Sequence, residues 1–258
     1  LLITPALMFK EDFSNTVNFD RTIAISNRVI RQVTKDHRSL ALIIVAPVLV
    51  MSLVGFSLVD QEDILNRIAP ALLGVFVLFF TFLLTGVSFL RERSQGTLER
   101  LNITPVSRAD LLVGYLFGFL LFAMLQSAVI LGYTVLVLPV SYQGAIWHVF
   151  LVLVLLTIVA VSLGILVSTF AKNEFQVVQF IPIIIVPQIF LTGVIVPVES
   201  MPWVLEKISI VFPLRYAVEM LVGIMLEGRS LVDFGTEIIV LAGFGIVFLI
   251  GASLTVRR

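Results

Sequence analysis

Five long stretches of this 258-residue chain contain no Asp, Glu, Lys or Arg, and one of them, residues 111–171, is long enough for two spans with a turn between Pro139 and Gly144. An α-helix needs about 20 apolar residues to cross a bilayer core of about 30 Å. The composition agrees, since 59% hydrophobic and 13% charged residues leave too few charges for the surface of a soluble globule. We therefore predict an all-α membrane protein with six transmembrane helices. The predicted spans are residues 40–59, 69–90, 111–139, 145–171, 175–198 and 238–256.

The basic residues are unevenly distributed between the two ends of these spans. When the six spans alternate in direction, 13 of the 17 Lys and Arg residues fall on one side. The four on the other side are Arg67, Lys207, Arg215 and Arg229. Because cytoplasmic loops are enriched in Lys and Arg, we predict a multi-pass protein of the plasma (inner) membrane with both chain ends in the cytoplasm.

Residues 1–39 are predicted to form a region separate from the transmembrane domain, 40–258. Residues 1–20 are expected to be a cytosolic or interfacial lead-in. Residues 20–38 place apolar side chains on one helix face and basic side chains on the other. Such an amphipathic helix lies in the membrane surface, and a basic flank of the first span that happens to be helical is the alternative. The basic face consists of Arg21, Arg28, Arg31, Lys35 and Arg38.

Residues 199–237, after the fifth span, are apolar in their middle but do not read as a seventh span. Arg215 and Glu219 lie in that middle part, and a charge at the bilayer centre costs about 2.5–3.5 kcal/mol on the lenient insertion scale. A seventh span would also move Arg257 and Arg258 to the outer side. We predict outer re-entrant helices that enter the membrane part way and pack against protein.

The loop between the second and third spans, residues 91–110, is the densest charged segment of the chain. Gly96 permits a sharp reversal, residues 97–101 favour a short helix, and Pro105 ends it. Ser107 and Asp110 have the spacing of a capping box that opens the third span. The pattern predicts a short charged helix beneath the membrane, with an ordinary solvated loop as the alternative.

This loop resembles the signature of the permease subunits of type-2 ATP-binding-cassette (ABC) exporters, an acidic residue followed by Gly-Thr-Leu-Glu-x-Leu and Thr-Pro. Two more blocks resemble that family, residues 190–216 its fifth span and outer segment, and residues 20–38 its connecting helix. The resemblance covers residues 20–258 and is nearest to compact drug-resistance-type exporters. The matching loop residues are Glu92, Gly96, Thr97, Leu98, Glu99, Leu101, Thr104 and Pro105.

In that family two permeases form a dimer, and each sits on a nucleotide-binding ATPase subunit. The resemblance implies that the loop docks in the ATPase and transmits its motion, and that the connecting helix, with Arg28, Arg31, Lys35 and Arg38, also contacts it. The implied coupling residues are Arg91, Glu92, Arg93, Gly96, Thr97, Glu99, Arg100, Leu101 and Pro105. The implied outer re-entrant residues are Pro197, Met201, Pro202, Pro213 and Tyr216.

No catalytic or metal site is predicted in the chain itself. It has no Cys, two His and no GxxxxGK[ST] nucleotide-binding motif, so ATP and Mg would be bound by the partner. Ion-coupled transporters use ionisable groups at mid-membrane, which the predicted spans lack. That lack also favours a hydrophobic or amphipathic substrate, drug or lipid-like.

We therefore predict a permease that moves such a substrate outward by alternating access, powered by a separate nucleotide-binding subunit. Its partners would be ABC ATPase subunits, a second permease copy or paralogue, and membrane lipids. Nucleic acid is not expected as a partner, because the net charge of the chain is zero. An ion-coupled secondary transporter or channel and a non-transporting membrane scaffold are the alternatives.

Two further patterns concern the packing of the spans. Gly114 and Gly118 in the third span have the spacing of a close helix–helix contact. Polar and helix-kinking residues in the fifth span are candidates for a translocation path, with interhelical hydrogen bonding as the alternative role of the amides. The candidate path residues are Gln179, Pro187, Gln188, Phe190 and Gly193.

Overall fold

A computed structural model describes residues 18–96, 106–193 and 198–255, apart from the side chains of Arg38, Arg108 and Glu199. Within these ranges the chain forms α-helices and short 3-10 turns, without a strand. Six helical stretches among them, residues 39–57, 62–94, 109–136, 146–168, 174–191 and 231–255, are long and apolar enough to cross a membrane, so the predicted all-α membrane fold is confirmed. The helices are α1 (Phe19–Lys35), α2 (His37–Ser57), α3 (Glu62–Ser94), α4 (Arg108–Leu136), α5 (Ile146–Ser168), α6 (Glu174–Leu191), α7 (Trp203–Ser209), α8 (Pro213–Met225) and α9 (Gly235–Thr255).

The helix ends differ from the predicted spans where local chemistry intervenes. α3 continues past residue 90 to Ser94, so its last turn carries charged residues. α6 stops at Leu191 rather than 198, because Gly193 adopts a φ of +89°, a left-handed conformation that ends helices. α1 stops at Lys35, and the Asp36 side chain accepts a hydrogen bond from the Ser39 N–H at 3.1 Å to cap α2.

The centre of the bundle is formed by α3 and α5, which are the most buried of the six long helices. Their backbones approach closely at two glycines. A Cβ on Gly164 would lie 3.1 Å from the carbonyl oxygen of Phe82 and 3.3 Å from the backbone nitrogen of Gly86, a crossing that small residues permit. α2, α6 and α9 lie at the periphery and leave large apolar side chains exposed, as faces for lipid or for another protein.

The two ends of the bundle differ in character. We call the end where α3 stops and α4 starts the basic end, because Arg91 and Arg93 lie there. The opposite end, where α3 starts and where α7 and α8 lie, is called the far end. Trp147 and Trp203 are both exposed at the start of helices α5 and α7 at the far end.

The segment between α6 and α9 is folded into two short helices rather than one straight helix. α7 and α8 meet at 89°, and among the described residues a seventh span would require this bent pair to act as one broken span. Pro213 is the first residue of α8, and the Tyr216 hydroxyl donates to the carbonyl oxygen of Ile210 at 3.0 Å across the bend. Met201 is buried and Pro202 caps α7, whereas Pro197 lies outside the described residues. The depth of this pair in a membrane stays a prediction.

Gln188 connects α6 to the start of α8. Its Oε1 accepts a hydrogen bond from the Leu214 N–H at 3.3 Å, and its Nε2 donates to the carbonyl oxygen of Ile184 at 2.9 Å. The side chain is 1% exposed. Because the first N–H groups of a helix have no partner within it, Gln188 satisfies a buried donor that α8 cannot satisfy itself.

Replacing Gln188 by leucine should therefore lower the free energy of unfolding by about 1–3 kcal/mol, the cost of a buried donor left without its acceptor. Gln179→Leu is the matched control, because Gln179 lies on the exposed face of the same helix; its effect should stay within about 0.5 kcal/mol. Thermal unfolding of the purified variants in one detergent measures both. Equal changes in the unfolding temperature of the two variants would contradict the role of Gln188 as the acceptor for the Leu214 N–H.

Candidate functional site

Three consecutive charged residues, Arg91, Glu92 and Arg93, form the last turn of α3 at the basic end. Successive residues of an α-helix are rotated by about 100°, so the three side chains point in different directions. Each contacts a different part of the bundle. The charged loop predicted from the sequence begins at this turn, and its residues 97–105 lie outside the described residues.

Glu92 points into the protein, where it is 2% exposed. Its carboxylate accepts hydrogen bonds from Arg28 of α1 and from the hydroxyl of Tyr115 of α4. The Arg28 Nη2 also donates to the Tyr115 hydroxyl at 3.0 Å. The Tyr115 ring is fully buried against Phe89 and Phe119, with centroid distances of 4.9 and 6.0 Å. A buried carboxylate needs such partners to stay charged, so this cluster holds α1, α3 and α4 together.

Arg91 points toward the junction of α1 and α2 and the start of α6. It makes a bidentate contact with Glu174, at 2.9 Å from Nε and 3.3 Å from Nη2, and its Nη1 lies 3.2 Å from Asp36. Hydrogen bonds from the Ser39 side chain and backbone, helped by Arg91, hold the pKa of Asp36 below its usual value. The side chains of Arg91, Glu174 and Asp36 are 39%, 51% and 35% exposed, respectively. The contribution of these ion pairs to stability is therefore small. They orient these helix ends relative to α3.

Arg93 covers the end of α5. Its guanidinium donates to the carbonyl oxygens of Ser168, Thr169 and Ala171 at 3.2, 2.7 and 2.8 Å. The last carbonyls of a helix lack partners and carry partial negative charge, so an arginine is favourable there. Immediately beyond, Gly96 turns the chain away with a φ of +68°. The last turn of α3 thus contacts α1, α4, α5, α6 and the start of α2.

The Gly114 and Gly118 pair of α4 makes the close contact that its spacing predicts, and the partner is α1. A Cβ on Gly114 would lie 2.7 Å from Cβ of Ile25, and one on Gly118 would lie 2.7 Å from Cβ of Val29. The apolar face of α1 therefore packs on α4, which leaves its opposite face for the membrane surface or a partner.

The start of α1 is also fixed to the start of α4. The backbone N–H of Asn18 donates to the Asp110 carboxylate at 2.6 Å. Asp110 and Ser107 form the predicted capping box, which is confirmed. This hydrogen bond links the starts of α1 and α4 directly.

The structure brings most of the described coupling residues together. Arg91, Glu92, Arg93 and Gly96 share one turn and its exit, and Arg28 joins them. Arg31 and Lys35 are exposed on α1. Thr97, Glu99, Arg100, Leu101, Pro105 and the side chain of Arg38 lie outside the described residues.

Sequence reasoning missed Tyr115, Asp36 and Glu174. Tyr115 has one usable signal, a phenol near the charged end of a mostly apolar span. From the sequence alone, Asp36 and Glu174 can be identified only as charged residues that flank spans. Their shared partner, Arg91, is distant from both along the chain. Among the described residues, no three His, Cys, Asp or Glu side chains gather as a potential metal site.

The candidate path residues of α6 do not gather on one surface. Gln179 and Phe190 are exposed, Pro187 is half-buried, and Gln188 faces α8. Nine positions separate the two glutamines, which places them on about opposite sides of the helix. Gly193 lies beyond the end of α6, against a cavity at the far end. Gln188 instead has the alternative role considered for the amides, because it makes a hydrogen bond between α6 and α8.

Comparisons with known proteins support one family. The model of the ABC-2 type transporter family matches residues 20–226. The chain is 27% identical over 183 residues to probable multidrug ABC transporter permease YbhS of Escherichia coli K12, covering 70% of this chain and 48% of the relative. It is 25% identical over 164 residues to probable multidrug ABC transporter permease YbhR of the same strain, covering 64% and 45%.

A more distant organism has a similar protein. ABC transporter G family member 20 of Dictyostelium discoideum is 26% identical over 171 residues, which is 66% of this chain and 23% of that protein. The chain spans about half the length, or less, of these curated relatives.

Proposed function

Because the chain belongs to the ABC-2 type transporter family, we propose that it is the membrane-spanning permease subunit of an ATP-driven exporter. It is a multi-pass protein of the plasma (inner) membrane, and its family supplies the transport component rather than the catalytic one. ATP and Mg are bound by separate ABC ATPase subunits, which pair with two permease copies or with this chain and a paralogue. The cargo is hydrophobic or amphipathic, drug or lipid-like, and moves outward.

The observation that supports this proposal most is the set of contacts made by the last turn of α3. An ATPase that seats on the loop after Gly96 and closes on ATP displaces that turn. Glu92 then carries the displacement to α1 and α4, Arg93 to the end of α5, and Arg91 to the starts of α2 and α6. Because one turn contacts so many helices, a small push moves several helices together, as alternating access requires.

Co-expression with the ATPase encoded nearest to this chain tests the proposal. We expect a stable complex whose ATP hydrolysis rises on adding a transported compound, and flux into inside-out vesicles that stops when the ATPase nucleotide-binding lysine is replaced. Flux that persists without ATP and follows a proton or sodium gradient would contradict the proposal in favour of an ion-coupled transporter. Partner binding without flux of any cargo would contradict it in favour of a scaffold.

A further inference from the structure

Two adjoining cavities open at the far end of the bundle, and they differ in polarity. One has a volume of about 330 Å³ and lies between α3, the end of α6 and α8. Its charged lining comprises Arg67, Arg215, Glu219, Glu227 and Arg229. The other has a volume of about 550 Å³ and lies between α3 and α6. Arg67 and Thr192 line both cavities, so the two lie side by side.

The second cavity is mostly apolar. Its apolar lining is Ile64, Ile68, Ala71, Leu72, Val75 and Ile189, and its polar lining is Asp63, Arg67 and Thr192. Residues 63 to 75 of α3 span about 18 Å along the helix axis at 1.5 Å per residue. This groove therefore has the length and polarity to hold a hydrocarbon chain that points into the membrane.

The charges of the first cavity are unequally satisfied. Glu227 lies 3.7 Å from Arg229, whose guanidinium also lies 4.1 Å from the centre of the Phe234 ring. The Arg215 Nη1 donates to the Ser209 hydroxyl, but its Nε is buried without a hydrogen-bond partner. Arg67 is exposed, and the described residues give it no hydrogen bond or ion pair. Glu219 has an interaction of its own and supplies the remaining negative charge of the cavity.

Arg67 thus retains its donors for a further acceptor, and the Arg215 guanidinium, which lines the same cavity, adds a second positive charge beside a groove for an apolar chain. A buried donor without an acceptor costs free energy, and arginine binds carboxylate and phosphate oxygens in bidentate geometry. We propose that the two adjoining cavities bind an amphiphile with an acidic headgroup, its phosphate, sulfate or carboxylate between Arg67 and Arg215 and its chain along α3 and α6.

This assignment adds the class of cargo to the proposed function. The transport experiment described below rests on that function, whereas the binding experiments do not. The acidic headgroup has two possible sources, a transported amphiphile or an anionic membrane lipid. Both need the same arginines, and only the first is moved by ATP.

Binding of dodecyl phosphate to the purified full chain in phosphatidylcholine nanodiscs tests the site. We expect dodecyl phosphate to bind at least about tenfold more tightly than dodecyltrimethylammonium, which has the same chain and the opposite charge. Inorganic phosphate should bind more weakly than dodecyl phosphate, because it lacks the chain. Affinity should fall as salt rises, since Arg67 is exposed.

Single substitutions locate the site. Arg67→Gln should weaken dodecyl phosphate binding about tenfold without unfolding the protein, because this side chain is exposed. Leu72→Trp should weaken it by filling the apolar groove. Lys207→Gln is the matched control, since Lys207 is an exposed cation at the same end that lines neither cavity. Equal binding of the two detergents, or equal effects of Arg67→Gln and Lys207→Gln, would overturn the proposal.

A transport arm distinguishes the two sources. Dodecyl phosphate that stimulates ATP hydrolysis by the complex, and loses this effect in Arg67→Gln, supports a cargo site. Arginine-dependent binding without stimulation supports a site for an anionic lipid. Failure of the proposed function can be distinguished from failure of this site. If the chain is not an exporter permease, no complex with an ATPase forms, but the binding experiments on the purified chain still measure whether the cavities hold dodecyl phosphate.

Discussion

Replacing Glu92 by alanine is expected to abolish ATP-driven export and to lower thermal stability. Glu92 accepts hydrogen bonds from Arg28 and Tyr115, and its removal leaves the arginine without its counter-charge. Breaking a fully buried pair costs about 3–5 kcal/mol, and the loss should be smaller here because the Arg28 side chain is 33% exposed. Thermal unfolding and vesicle flux measure the two effects.

Two further variants separate coupling from folding. In the double variant Arg28→Met with Glu92→Met, no uncompensated charge remains, and such replacements are often neutral for stability. We expect it to recover part of the thermal stability, since the Tyr115 hydroxyl still lacks its acceptor, but not export, because the polar connection between α1, α3 and α4 is gone. Glu62→Ala, at the exposed opposite end of α3, should leave both properties unchanged. Full export in the double variant would contradict the coupling role of the charge pair.

Replacing Gly118 by leucine is expected to separate α1 from α4. Even a Cβ at this position would lie 2.7 Å from Cβ of Val29 and 3.3 Å from the carbonyl oxygen of Ser26. Overpacking of this kind typically costs about 1–3 kcal/mol, and here the displaced element carries Arg28. We expect faster hydrogen exchange of the α1 amides and loss of ATPase stimulation by cargo.

Gly132→Leu is the matched control for this change. Gly132 lies on the same helix, and a Cβ there would meet nothing within 4 Å. Both substitutions raise helix propensity by the same amount, about 1 kcal/mol, so that contribution cancels in the comparison. Similar exchange rates for α1 in the two variants would show that the α1–α4 contact is not what fixes α1.

The spans were predictable because apolarity over the required length is a local property of the sequence. The capping box at Ser107 and Asp110 and the close approach at Gly114 and Gly118 were predictable for the same reason. The partner of those glycines was not, because α1 reaches them through tertiary packing. The extent of this contact was not predictable either, since Ile23, another apolar residue of α1, is 40% exposed.

The candidate site was likewise predictable only in part. Arg91, Glu92 and Arg93 were chosen through resemblance to the exporter loop, and their position on one turn follows from helix geometry. The convergence of Arg28 and Tyr115 on Glu92 depends on residues 64 and 23 positions away, which no local pattern encodes. The opposite faces of Gln179 and Gln188 follow from helical spacing, but which face meets α8 depends on the fold.

Cross-linking from single cysteines tests the central claim, that an ATPase docks where α3 ends. The chain has no Cys, so Gln95→Cys and Gln61→Cys each give one labelling site. Both positions are exposed and flank α3, Gln95 at the basic end and Gln61 at the far end. With a maleimide-benzophenone label on the purified complex, the account predicts an ATPase adduct from position 95 and none from position 61. An adduct from position 61, or none from position 95 in a complex that contains the ATPase, would contradict it.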